Sequence, residues 1–396
     1  MANLRTNLAR GALVGATGVV LWATTRRRAT GQHTLLDWRW ATSVAERVSG
    51  PDGRLSHSER AHLLADYRAL VQKVEQPLQR YTGTTLPLGE TTVEVMDRAD
   101  WIRANVVNFS QLFEPLDEAY ARGIREGKPG AAIPPLAQLA LSSQFGLLIG
   151  YLARRVLGQY DVSLLGKEPV TAGKLYFVEP NIRALERKLA APPDELREWI
   201  VLHEATHAHE FEVHPWVRVY LNTTLRSYLS SVVEDMLGAG SASLVGTLAQ
   251  RLTNNLRRGQ SLLNALMTPQ QRELVSRLQA LMSLAEGYSN HVMNAVGRQT
   301  LPHFDEISRA LERRQRQRSA VEELFLRITG LKLKLEQYKL GERFVDRVVA
   351  ARGMAFLNRA WDSPAHLPSE AEIREPERWI ARMEVAPAPG AHHSPE

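Results

Sequence analysis

Two histidines four residues apart, with a glutamate directly after the first, stand at His203, Glu204 and His207 in the run VLHEATHAHEFEVHPW (201–216). On an α-helix, residues four apart share a face and rise about 6 Å along the axis, so two imidazoles placed this way can converge on one metal ion. Zinc takes such nitrogen ligands at about 2.0–2.2 Å in a tetrahedral arrangement. Glu204, one residue round the helix, is placed to act as general base on a water activated at that ion and then as proton donor, without being a ligand. The same spacing also fits a polar, histidine-rich surface helix. The preceding LREWIVL (196–202) decides against that, because it brings Trp199, Ile200 and Leu202 to the site and predicts a buried helix.

A catalytic zinc site uses three protein ligands and keeps one position open. The extended pattern HExxHxxGxxH fails here: its glycine position is Glu210, its last histidine position is Val213, and His214 is one residue off. His209 points about 200° from His207 around a helix and is expected to pack nearby or face solvent. The third ligand is expected downstream, at Glu286 in LMSLAEGYSNHVMNAVG (281–297). Glu286 sits in an apolar helical pattern with Leu281, Leu284, Val292 and Val296. A buried carboxylate needs a partner, either an ion or a neighbouring arginine. Ser289 and Asn290 share its face and are placed to hold the second ring nitrogen of a ligand histidine. His291, and less directly Tyr288, are candidates for stabilising an oxyanion. Glu210 and Glu212 read either as solvated carboxylates or as an orienting partner for one histidine.

The elements that must position these groups read as mostly helical. The HExxH residues fall in a helix over 193–213 and Glu286 in one over 269–297, with further helical patterns at 216–238, 240–258, 302–328, 331–352 and 354–360. Upstream, Leu36, Trp40, Val44 and Val48 repeat at four-residue spacing. After the SGPDG break, a helix capped by Ser56 or Ser58 runs to Gly83. Residues 97–123 predict one or two helices breaking near Pro115. The run 136–158, uncharged until Arg154, also reads as membrane-spanning, but Gln138, Ser142, Ser143 and Gln144 argue for a buried apolar core helix packed through Gly146 and Gly150. The β signal is VTAGKLYFVEPNI (170–182), a strand or hairpin ending at Pro180. The expected fold class is mainly α (α+β) with a small sheet, as one domain over 31–385 between an N-terminal extension (1–30) and a disordered tail (386–396).

The chain has 396 residues, a net charge of +6 and no cysteine. The last fact excludes disulfides, thiolate metal sites and cysteine nucleophiles. No phosphate-binding glycine loop is present; of the basic clusters at 24–30 and 311–319, which suit nucleic acid or an anionic membrane, the second reads as a solvated helix face, and no nucleic-acid partner is expected. The uncharged run GALVGATGVVLWATT (11–25) lies between Arg10 and Arg26–Arg28. At about 22 Å as a helix it is short for a ~30 Å hydrocarbon core. It predicts a segment that packs on the protein or contacts a membrane through residues 11–28, with a short uncleaved anchor as the alternative. The expected location is cytoplasmic, with membrane association through this terminus.

Several stretches together resemble a bacterial zincin-like metallopeptidase family of unknown function, often labelled as associated with the biosynthesis of a deazaflavin coenzyme. They are DWRWA (37–41), DRADWIRANV (97–106), VLGQYD (156–161), LYFVEPNI (175–182), WIVLHEATHAHEF (199–211) with PWVR (215–218), and EGYSNHVMNAVG (286–297). The resemblance extends over about 36–382 and is more specific than HExxH alone. It implies a helical zincin-like fold, a zinc hydrolase, ligands at His203, His207 and Glu286, and Glu204 as base. Position 288, a tyrosine here, is expected to be histidine in many relatives. The reading that follows is a zinc metallopeptidase acting on a peptide or protein. Its rivals are a catalytically silent scaffold of the same fold and a membrane-associated helical adaptor.

Overall fold

The computed structural model describes residues 34–51, 54–86, 92–127, 133–160, 173–189, 191–238, 267–316 and 331–385. In chain order these form α1 (Trp38–Ser49), α2 (His57–Thr82), β1 (Thr92–Met96), α3 (Arg98–Arg125), α4 (Pro135–Ala153), β2 (Gly158–Tyr160) and β3 (Lys174–Val178). They continue as α5 (Glu179–Glu186), α6 (Pro193–Glu212), α7 (Pro215–Gly238), α8 (Pro269–Thr300), α9 (Phe304–Arg316) and α10 (Leu331–Arg352), then short helical turns to Val385. The mainly helical class with a small sheet is as expected. The extension 1–30, the tail 386–396, the helix expected at 240–258 and residues 317–328 lie outside the described residues.

Two compact units make up the chain. One comprises Met1–Pro51, Ile102–Arg154 and Leu229–Thr268, the other Asp52–Trp101, Arg155–Tyr228 and Pro269–Glu396. Two of the boundaries fall inside α3 and α7, where no linker or shift in composition marks them in the sequence; another falls within the SGPDG break.

In the first unit α1 is capped by Asp37, whose Oδ1 accepts from the Trp40 amide at 2.9 Å. It lies against α4 at unusually short range: a Cβ on Gly146 would come 2.5 Å from the Ala41 carbonyl oxygen, and one on Gly150 2.6 Å from that of Ala45. The glycine packing is therefore as read, but the expectation of a buried core helix is not met. Only 28% of the apolar window of α4 is buried. The break expected near Pro115 is also absent, and α3 continues through it. A helical proline gives up one backbone hydrogen bond, and the buried face formed by Leu112, Leu116, Ala119 and Tyr120 runs across it.

The second unit is built on a three-stranded mixed sheet in the order β1-β3-β2. β3 is central, parallel to β1 with Val95 opposite Phe177, and antiparallel to β2 with Tyr160 opposite Leu175. Strands β1 and β2 were not foreseen. β2 has three residues, too few for an alternating pattern, and follows directly on the apolar run of α4. Tyr67 of α2 stacks on Phe177 at 4.2 Å between ring centroids, while its hydroxyl donates to the wholly buried Glu179. Arg197 of α6 closes over the same carboxylate at 2.8 and 3.0 Å. α2 begins in a capping box made by Ser56 and Glu59 and ends at Gly83 in the left-handed region (φ 72°). Helices α8 and α10 cross where Gly287 faces Gly341, and a Cβ on either would overlap backbone of the other helix.

Candidate metal centre

Helix α6 opens on Pro193 with Asp194 and Glu195 in its first turn, which suits the helix dipole, and stops before Pro215 begins α7. It is buried nearly all round: Leu196, Ile200, Val201, Leu202, Ala205 and Ala208 are at most 2% exposed. Ionisable side chains on such a helix need partners, and those at the site have them. The surface-helix reading of the 201–216 run does not survive this burial.

The imidazoles of His203 and His207 meet edge to face with ring centroids 4.8 Å apart. Glu286, from α8, joins them, and the three ligating atoms lie within 4.8 Å of one another. That is a rotamer adjustment away from the ~3.4 Å separating ligands bonded at about 2.1 Å around a tetrahedron. Two imidazole nitrogens and one carboxylate oxygen form a donor set suited to zinc rather than to magnesium or calcium, which prefer all-oxygen shells.

Both Nδ1 atoms are engaged, which leaves the Nε2 atoms for an ion. Ser289 Oγ lies 3.1 Å from His203 Nδ1, as its place on the Glu286 face predicted; Asn290 makes no such contact. Glu210 Oε2 lies 2.8 Å from His207 Nδ1, and Glu210 is 1% exposed. Of its two readings, the orienting one therefore holds. Glu212 is not solvated either: it accepts from the Tyr160 hydroxyl and from Arg218. His209 is buried, with Nε2 at 3.0 Å from Glu75 and Nδ1 at 3.0 Å from Thr84 Oγ1. His214 stacks on Trp361.

Burial and the neighbouring His207 push His203 down to about 3, so its ring is neutral at pH 7, the form that ligates metal. Burial would lower His207 too, but the carboxylates of Glu210, Glu286 and Glu204 outweigh it and hold the group up at about 10. The negative field that keeps a proton there equally favours a divalent cation. Burial raises Glu204 to about 7 with help from Glu286, against the pull of His207 and the Tyr160 amide.

Sequence reasoning missed the contact between β2 and Glu204. The Tyr160 amide donates to Glu204 Oε2 at 3.0 Å, and a Cβ on Gly158 would come 2.6 Å from Glu204 Cγ. The signal available was the glycine within VLGQYD. His291 does not join the cluster. It lies five residues beyond Glu286, about 140° round the helix, with Nε2 at 2.7 Å from the Tyr81 hydroxyl and Nδ1 at 2.6 Å from Asp346 of α10. Tyr288, nearly fully buried, donates to Asn358.

Comparison with known proteins gives a consistent result. The sequence pattern of a family described as zincin-like metallopeptidase matches residues 36–380. A chain from Chloroflexus aurantiacus, described as a candidate hydrolase with a novel fold, is 40% identical with a TM-score of 0.65; the match covers 89% of this chain and 100% of that one. No protein of curated function matches.

Proposed function

Because the chain belongs to the zincin-like metallopeptidase family, we propose that it is a zinc-dependent hydrolase cleaving peptide bonds, with His203, His207 and Glu286 as ligands and Glu204 as general base. The observation that carries this reading is the meeting of the three donor atoms from two helices within 4.8 Å. When bound, zinc supplies a Lewis acid that polarises the scissile carbonyl and makes water a nucleophile near neutral pH.

The protein's own groups perform the rest. Ser289 and Glu210 hold the two imidazole rings in place through Nδ1. The Tyr160 amide fixes Glu204 Oε2, so the carboxylate does not have to be ordered during the reaction. A carboxyl poised near 7 is matched to both of its tasks. Glu204 accepts the proton of the attacking water and then delivers it to the departing amine. The neighbouring Gly158 leaves room for that carboxylate and no more.

Metal analysis of the purified protein tests the reading. About one zinc per chain is expected, lost in His203→Ala. Glu204→Gln should keep zinc and lose hydrolysis of any peptide the wild type cleaves. A protein without zinc, or unchanged hydrolysis in Glu204→Gln, removes the proposal.

A further inference from the structure

Helix α4 has its sides reversed for a helix in water. Taking 100° per residue, its buried face carries Ser142, Gly146, Ile149, Gly150 and Ala153. Its solvent-facing arc carries Leu136 (61% exposed), Leu141 (42%) and Leu147 (46%), with Gln144 as the one polar residue among the exposed positions. A surface helix in water ordinarily turns its leucines inward and its polar residues outward. Small residues against the neighbouring backbone and bulky apolar residues outward are how helices pack when lipid lies outside them. The helix has no charged residue along its 19 positions.

We propose that this face of α4 docks on a lipid bilayer, with Leu136, Leu141 and Leu147 in the acyl region. Two further observations favour lipid over a protein partner. First, Gln138 Nε2, in the first turn of α4, donates to the Thr34 carbonyl at 2.5 Å. The arginine triplet Arg26–Arg28 ends six residues before Thr34 in sequence. The second uncharged run of the sequence, 11–25, immediately precedes that triplet. Second, Arg154 is exposed at the C-terminal end of the helix, where it is available to anionic headgroups. α1, packed on the inner face, carries Arg39, Glu46 and Arg47. The pair therefore lies in the interface plane and does not cross the hydrocarbon.

The test uses the full chain and flotation with vesicles of phosphatidylcholine containing one quarter phosphatidylglycerol, and with phosphatidylcholine alone. The wild type should float with both, more strongly with the anionic vesicles. Leu136→Gln/Leu141→Gln/Leu147→Gln should lower the bound fraction at least tenfold with unchanged circular dichroism. Because the protein has no cysteine, Leu147→Cys carries a single environment-sensitive fluorophore, and its emission should shift to the blue on adding vesicles. This second readout decides the matter if the triple variant fails to fold. Wild type that does not float, a fluorophore that does not shift, or flotation lost in Val19→Gln/Val20→Gln/Leu21→Gln but intact in the α4 variant overturns the proposal. An oligomer by light scattering that the leucine substitutions disperse, without vesicle binding, assigns the face to a second copy of the chain and also overturns it.

Discussion

Gly158 lies against Glu204 so closely that a single added carbon would collide: an ideal Cβ at 158 falls 2.6 Å from Glu204 Cγ and 2.9 Å from its Oε1. The backbone of β2 thus forms one wall of the site, and the next strand residue but one, Tyr160, supplies the amide that holds the carboxylate. Gly158→Ala should therefore displace Glu204 while leaving the metal ligands alone. The expected outcome is zinc content equal to wild type, with kcat/KM for a cleaved peptide lowered about 100-fold, the scale on which an ångström of misplacement acts. Loss of zinc in this variant would show that β2 supports the ligands and not the base.

His203 and His207 are held by unequal partners, a neutral hydroxyl on the first and a buried carboxylate on the second. Partners of this kind are worth about 10- to 100-fold in metal affinity, and the anionic one adds charge to the site. Glu210→Gln should weaken zinc binding near the upper end of that range and Ser289→Ala near the lower. Competition with a fluorescent chelator measures both without any substrate. Equal affinities in the two variants would show that the charge of Glu210 does not matter to the ion.

The half of the site carried on one helix was legible because spacing along a helix is geometry: His203, Glu204 and His207 need no tertiary information to share a site. Glu286 was legible because an acid within an apolar helical pattern demands a partner, and Ser289 followed from its position three residues on. Glu210 was left between two readings, since three-residue spacing puts it near His207 but only packing removes the solvent that would otherwise claim it. Tyr160 acts through a backbone amide, which leaves no chemical signature, and Gly158 through an absent side chain, whose only trace is the glycine itself. His291 shows the opposite failure. Its residue type suits oxyanion chemistry, but five residues along a helix turn it away from Glu286 and toward α10.

Stability should vary with pH through Glu372, which caps its own short helix at Ser369 and binds Arg382 at 2.7 Å. Burial opposes its charge, but Arg382 and the hydrogen bonds from Ser369 prevail and lower its pKa. A folded-state pKa below the unfolded value means that the stabilisation is present above the ordinary carboxylate range and is lost as pH falls through the folded pKa. Glu372→Gln should lower Tm at pH 7 by the equivalent of about 1 kcal/mol. The difference from wild type should shrink as pH approaches 3. A difference that persists undiminished at pH 3 would place the effect in packing and not in charge.

His291 links three helices, accepting or donating at Tyr81 of α2 and Asp346 of α10 from its own place in α8. Both ring nitrogens are occupied, and its side chain is 15% exposed. His291→Ala removes a part-buried hydrogen bond to Tyr81 and one to Asp346, whose side chain is 57% exposed, which should cost about 1–2 kcal/mol of stability. Tyr81→Phe, which keeps the Asp346 contact, should cost less. If the residue only clamps helices, kcat per bound zinc at a temperature well below Tm stays within about twofold of wild type. If it reaches a developing oxyanion after substrate binds, kcat falls by about 100-fold or more while KM and zinc content hold. Thermal melts and single-turnover rates measured on the same preparations separate the two, because a clamp moves the first and an oxyanion group moves the second.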